Sequence, residues 1–180
     1  MTATEYVILV DDEDNSIGVA PKLYAHEHAL LHRAFSVFIY RILAENGQKQ
    51  WLLQQRALHK YHSPGLWTNT CCSHPKPDET ILAAATRRLH EEMGIKASLT
   101  ACGQFKYKAA FDNGLTEHEI DHVLVGAVKD DCVIAIDPLE VANYRWVETE
   151  TLAKEIMEQP EQFTPWFQQA WELATQEGQH

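Results

Sequence analysis

Apolar residues along the chain fall into short runs separated by polar turns. The runs YVILV and AFSVFIYRIL are rich in β-branched and aromatic side chains and predict strands at about 6–10 and 34–43. NGQKQ follows, with Asn46-Gly47 as a hairpin signal, and WLLQQR is the returning strand. HSPGLWTNT holds a Pro-Gly turn and then a short extended segment. LTACGQFKYKAAF and TEHEIDHVLVGAV predict two strands around an Asp112-Asn113-Gly114 turn. CVIAI and YRWVE predict two more.

The period changes after Pro75 and Pro77. Leu82, Ala85, Leu89 and Met93 recur at helical spacing, with Asp78 as N-cap and Gly94 as terminator. The C-terminal part predicts a helix at about 149–158, a break at Pro160, and a helix at about 165–176 capped by Thr164 with Pro165 at its first position. No repeat, low-complexity tract or linker interrupts the pattern. Many strands with one central and two late helices predict an α/β or α+β fold on a mixed sheet. One domain is expected to span 1–180.

Composition narrows the function classes. The chain has 180 residues, 45% hydrophobic and 23% charged, which suits one globular core and carries no disorder signature. Against 26 acidic residues stand 15 basic ones, a formal charge of −11. That balance argues against nucleic acid or an anionic membrane surface as partner. It leaves room for an anionic small molecule held by local cations. MTATEYVILV lacks the basic and apolar regions of a signal peptide, and no apolar run nears the roughly 18–20 residues of a membrane span. A cytoplasmic monomer is expected.

There are four cysteines and no C-x-x-C pair, so a thioredoxin-type motif and a four-cysteine zinc site are unsupported. A bond between neighbours Cys71 and Cys72 would be strained. TNTCCSHP thus stays open between packing, metal and catalytic readings. HEHALLH places imidazoles before a strand, where they could converge on a cation. In EHEID, alternation turns Glu117 and Glu119 to one face, where a cation would relieve their repulsion. Three imidazoles with two carboxylates make a mixed nitrogen–oxygen set suited to manganese, zinc, iron(II) or magnesium. On the central helix, Arg88 and Glu92 are four apart and can face one site.

The segment 73–95 resembles the Nudix box, G-x5-E-x7-R-E-U-x-E-E-x-G-U. Ser73, Glu79, Arg87, Arg88, Leu89, Glu91, Glu92, Gly94 and Ile95 occupy its places. Ser73 replaces the glycine and Arg88 replaces a glutamate. The second change removes a metal carboxylate and adds a cation that can hold a diphosphate. This counts against the rival reading, a Nudix pyrophosphohydrolase.

LLHRAFSVFIY, QQRALHK, PGLWTNTCCSHP, RRLHEEMGI, FKYKA, EHEID and FTPWF together resemble type I isopentenyl diphosphate isomerase, from about residue 4 to 170. The resemblance implies a Nudix-like α/β/α sandwich around a mixed sheet. It implies conversion of isopentenyl diphosphate to dimethylallyl diphosphate by protonation and deprotonation through a tertiary carbocation. Cys72 and Glu119 match the proton-transfer pair, and Tyr107 and Trp166 the assisting aromatics. His26, His32, His74, Glu117 and Glu119 match the ligands of a manganese, magnesium or zinc ion, with His28 a rival to His26. Lys22, Arg56, Lys60 and Arg88 match the diphosphate-holding residues. Glu92 matches the holder of a second magnesium that bridges to the diphosphate.

Overall fold

The computed structural model describes residues 4–60 and 62–177. The chain runs β1 (Tyr6–Val10), β2 (Ser16–Pro21), α1 (Lys22–Glu27), β3 (His32–Ile42), β4 (Lys49–Arg56), β5 (Trp67–Thr68) and β6 (Cys71–Ser73). It continues through α2 (Ile81–Met93), β7 (Thr100–Ala110), β8 (Thr116–Val128), β9 (Val141–Glu148), α3 (Thr149–Glu158), a 3-10 turn at Pro160–Gln162 and α4 (Phe167–Glu177). All the described strands join one mixed sheet, so the fold is α+β.

β3 is the hub. Its whole length pairs parallel with β8, from His32↔Glu119 to Arg41↔Val128. Its other partners are antiparallel and short: β1 at His32, β6 over Phe35–Val37 and β4 over Ile39–Ile42. A strand buried on both faces is mostly apolar, and β3 is so over Ala34–Ile39, apart from Ser36. Phe35, Val37 and Ile39 pack with Ala84, Ala85, Leu89 and Met93 of α2. Phe38, on the opposite face, packs with Leu152 and Ile156 of α3 and Phe167 and Trp171 of α4. The result is a sheet between helices. Burying one such side chain contributes about 1.5–3 kcal/mol.

Several expectations need correction. α2 is capped by Thr80, whose side chain accepts from Ala83 N at 3.1 Å; Asp78 sits two residues earlier with φ 68. Ile81 rather than Leu82 therefore begins the buried row of α2, and Leu82 is exposed. Gly94 does end the helix in the left-handed region, where a Cβ would lie 2.8 Å from the Cβ of Ala135. CVIAI is not a strand. Ala135 N and Asp137 N donate to the carbonyls of Met93 and Glu92, so this segment satisfies the end of α2 instead of a sheet edge. HEHALLH is not all loop, because His26 lies on α1.

Candidate active site

The pleat decides which cysteine faces the site. Cys72 pairs with Ser36 and Cys71 with Val37, so the two thiols point to opposite faces of the sheet. Cys71 turns to α2, is fully buried, and donates to Glu92 Oε2 at 2.9 Å. Cys72 turns to the face that carries His32, Ala34 and Ser36 of β3. Glu119 and Asp121 of β8 lie opposite His32 and Ala34 and share that face. Tyr107 of β7 lies opposite Glu119.

Thr68, Asn69 and Thr70 form a buried truss beneath Cys72. Thr70 Oγ1 donates to the Leu52 carbonyl at 2.6 Å and accepts from Ile39 N at 2.9 Å, tying β4 to β3. Asn69 Nδ2 donates to the carbonyls of Val37 and Cys71, and its Oδ1 accepts from Cys72 Sγ at 3.0 Å. The sulfur is thus placed by backbone-anchored groups. Burial, then the Asp121 carboxylate, push the Cys72 thiol up to about 12, so it keeps its proton at neutral pH.

An imidazole–carboxylate cluster stands beside it. Ligand atoms of His26, His32 and His74 all lie within 4.8 Å of one another. Glu119 Oε2 is 2.9 Å from His74 Nε2 and 3.5 Å from His32 Nε2. Glu117 adjoins Glu119 on the same strand face, and both are buried. His26, not His28, joins the cluster; His28 is exposed and meets the Tyr24 ring at a tilt, with centroids 4.2 Å apart.

Protonation follows from these contacts. Burial, then the charges of His74 and His32, lower His26 to about 3, and burial first keeps His74 well below its usual range. Burial opposes the charge on His32, but the hydrogen bond and charge of Glu119 outweigh it and raise His32. Burial would raise Glu119, but His32 holds it below the ordinary value. Burial and the charge of Glu119 raise Glu117.

This donor set fits a divalent cation. His32 Nδ1–H donates to the Leu30 carbonyl at 2.9 Å, which fixes the ring and turns Nε2 inward toward Glu119. Two imidazoles already neutral, a third so oriented and two carboxylates on one face are the donors a mixed nitrogen–oxygen metal site requires.

A cavity of about 730 Å³ opens over these groups, lined by Cys72, His74, Glu117, Glu119 and Trp166 together with Lys22, Arg56, Lys60, Arg87 and Arg88. Lys22, Lys60, Arg87 and Arg88 pair with carboxylates. Lys22 pairs with Glu5 at 2.7 Å, Lys60 pairs with Glu140, and Arg88 lies 2.7 Å from Glu91 and 3.6 Å from Glu92 and Glu140. Burial opposes the charge on Arg88, but Glu92 and its neighbours more than offset it. The Arg56 guanidinium lies 5.6 Å from the Trp166 ring, and Trp166 meets Tyr107 edge-on at 6.0 Å. His26, His32 and Tyr107 are buried and do not line the cavity. Glu92 is buried between Cys71 and Arg88 and does not line the cavity.

Two site residues were missed from sequence. Asp121 continues the alternation of Glu117 and Glu119 by one more step, a signal that could have found it. It accepts from Ser36 Oγ at 2.9 Å, and burial, then Glu119, push its carboxyl well up. His62 had no periodic signal, yet it is buried and its Nε2 lies 2.6 Å from Glu117 Oε1.

A mixed sheet between helices, with a charged α2 flanking a cavity, is a Nudix arrangement, and residues 31–167 match the family described as NUDIX domain. A MutT protein from Methanosarcina mazei shares the fold, with a TM-score of 0.63 at 20% identity over 83% of this chain and 96% of that one. Closer in sequence is an isopentenyl-diphosphate Delta-isomerase of Pectobacterium atrosepticum, 49% identical over 93% of this chain and 89% of the relative. The isopentenyl-diphosphate Delta-isomerase of Photobacterium profundum is 45% identical over 98% of both chains. The chain belongs to the isopentenyl-diphosphate Delta-isomerase family.

Proposed function

We propose that this chain converts isopentenyl diphosphate to dimethylallyl diphosphate in isoprenoid biosynthesis, through the residues assembled in the cavity. The observation that carries this reading is the pairing of a neutral thiol and a carboxylate on one sheet face. Cys72 and Glu119 sit on the two strands that flank β3, in one cavity rimmed by cations. An unactivated alkene is a poor base, so it needs a placed acid, exclusion of water and stabilisation of positive charge.

Lys22, Arg56, Lys60 and Arg88 hold the diphosphate at the cavity mouth and direct the five-carbon group inward. One member of the Cys72–Glu119 pair adds a proton to the terminal alkene carbon, and the other removes one from C2. The π face of Trp166 stabilises the tertiary cation between these steps. The Tyr107 hydroxyl, opposite Glu119, assists the transfers. A manganese, magnesium or zinc ion held by His26, His32, His74, Glu117 and Glu119 would supply positive charge that fixes Glu119 and lowers its proton affinity. Glu92, next to Arg88, is assigned to a magnesium ion carried by the diphosphate.

The test is proton NMR of the protein with isopentenyl diphosphate and magnesium in D2O, with phosphate release followed in parallel. Dimethylallyl diphosphate carrying deuterium, without phosphate release, is the expected result. Phosphate release without isomerisation would instead establish a Nudix pyrophosphohydrolase.

A further inference from the structure

We propose that His62 is a positioning residue of the cation site: it holds Glu117 in the orientation that the three-imidazole cluster needs. The inference rests on the reading of that cluster as a metal site.

The His62 ring is itself tightly placed. It follows the end of β4, where the chain turns back through Ser63, Pro64 and Gly65. Arg56 N donates to the Leu66 carbonyl at 2.9 Å, and Gly65 N donates to the Arg56 carbonyl at 3.1 Å. Ser63 has φ 50 and Gly65 φ 73, so the turn uses left-handed backbone at two positions. Arg56 Nη2 donates to the His62 carbonyl at 3.3 Å. The imidazole stacks on Phe111 with centroids 5.2 Å apart and meets Trp166 edge-on at 6.0 Å.

So fixed, His62 Nε2 meets Glu117 Oε1 at 2.6 Å. A carboxylate accepts, so Nε2–H donates. Glu117 and Glu119 are close, buried and of like charge, an arrangement that drives carboxylates apart. A donor on Oε1 offsets that repulsion and fixes the Glu117 carboxyl beside Glu119. His62 is not among the imidazoles whose ligand atoms lie within 4.8 Å of one another, and its ring centroid is 6.1 Å from that of His26. Its Nε2 also has Arg56 Nη2 at 3.4 Å, but a guanidinium cannot accept, so the Nε2–H goes to Glu117. Groups that hydrogen-bond a ligand from outside the coordination sphere typically change metal affinity or activity roughly 10–100-fold when removed.

The experiment is Mn2+ titration of metal-stripped protein, followed by electron paramagnetic resonance of free and bound Mn2+. It compares the wild type with His62→Ala, His62→Gln and His62→Asn, each checked for folding by circular dichroism. Gln places an amide N–H near the position of imidazole Nε2, and Asn places one near Nδ1. The expected result is Mn2+ affinity weakened roughly 10–100-fold in His62→Ala, largely recovered in His62→Gln and not in His62→Asn. Inorganic pyrophosphate affinity should change less than Mn2+ affinity, because Arg56 keeps its bond to the backbone carbonyl of residue 62 when its 3.4 Å contact with the ring is lost. Turnover lost at low Mn2+ should return as Mn2+ is raised.

A folded His62→Ala that binds Mn2+ like the wild type would overturn the inference, as would a Gln variant no better than Asn. The Gln–Asn comparison still decides if His62→Ala does not fold. If the folded wild type binds no Mn2+ at all, the metal reading fails, and the role of His62 fails with it.

Discussion

Cys72 keeps its proton because its half-buried side chain is desolvated, faces the Asp121 carboxylate and donates to Asn69 Oδ1. A proton carrier in that position has no substitute in the truss around it. Cys72→Ala and Glu119→Gln should each lower kcat by roughly 10²–10⁴-fold while the circular dichroism spectrum is unchanged. Substantial turnover in either folded variant would remove that residue from the proton-transfer pair. The neighbouring Cys71 is not inert either. Its thiol donates to Glu92 Oε2, and burial, then the charge of Glu92, keep it well above its usual range and hence protonated. Cys71→Val keeps an apolar side chain but deletes the donor, leaving a buried carboxylate oxygen with the Arg88 guanidinium 3.6 Å away. The variant should lose about 1–3 kcal/mol of stability, read from urea unfolding. A Val variant as stable as the wild type would mean that the Cys71–Glu92 bond contributes nothing net.

At the scale of elements, what was legible followed length and period. β3, β7, β8 and α2 each supply enough residues for an alternating or helical pattern to show. β6 has three residues and α1 six, and neither signals itself. β6 exists because β3 offers Phe35–Val37 as a ladder, a tertiary partner invisible in a polar stretch. α1 lacks a side-chain N-cap and any acidic residue in its first turn. CVIAI has strand composition, but Ala135 N and, just beyond it, Asp137 N go to the end of α2. The same logic separates the site residues. Glu117, Glu119 and Asp121 follow the strand period, whereas His62 reaches Glu117 only through the fold of a turn. The Nudix-box glutamate Glu79 illustrates how a motif position can be read structurally. Both of its oxygens accept from Arg87 at 2.9 Å, and Oε1 also accepts from Lys76 N, so it braces the entry to α2. The Arg87 hydrogen bond lowers the Glu79 pKa below its ordinary 4.5. A depressed folded value means stability that is present above the unfolded value and lost as pH falls through the folded one. Glu79→Gln should therefore cost about 1 kcal/mol at neutral pH, a modest figure because solvent screens the pair. The gap to the wild type should close in acid below the depressed value, as measured by urea midpoints across pH. A gap that persists there would assign the loss to packing rather than charge.

At the scale of the molecule, the proposed cation site is where separate parts of the chain meet. Its imidazoles and carboxylates come from α1, β3, the segment after β6 and β8, spread from His26 to Glu119. No unfolded chain holds these groups together, so a cation that binds them binds the folded state alone. Mass action then makes binding a stability term, about 2.7 kcal/mol when free metal is 100-fold above the dissociation constant. For a chain of this size each kcal/mol raises the melting temperature by roughly 2–4 °C. Metal-stripped protein should thus melt about 5–11 °C below protein saturated with Mn2+. His26→Ala and His32→Ala each remove one proposed ligand, and in them the Mn2+-dependent shift should shrink or vanish while the metal-free melting temperature changes less. Thermal unfolding followed by circular dichroism, with and without Mn2+, measures both quantities. An equal Mn2+ shift in wild type and both histidine variants would place the bound ion elsewhere on this acidic surface and would separate the imidazole cluster from the metal dependence.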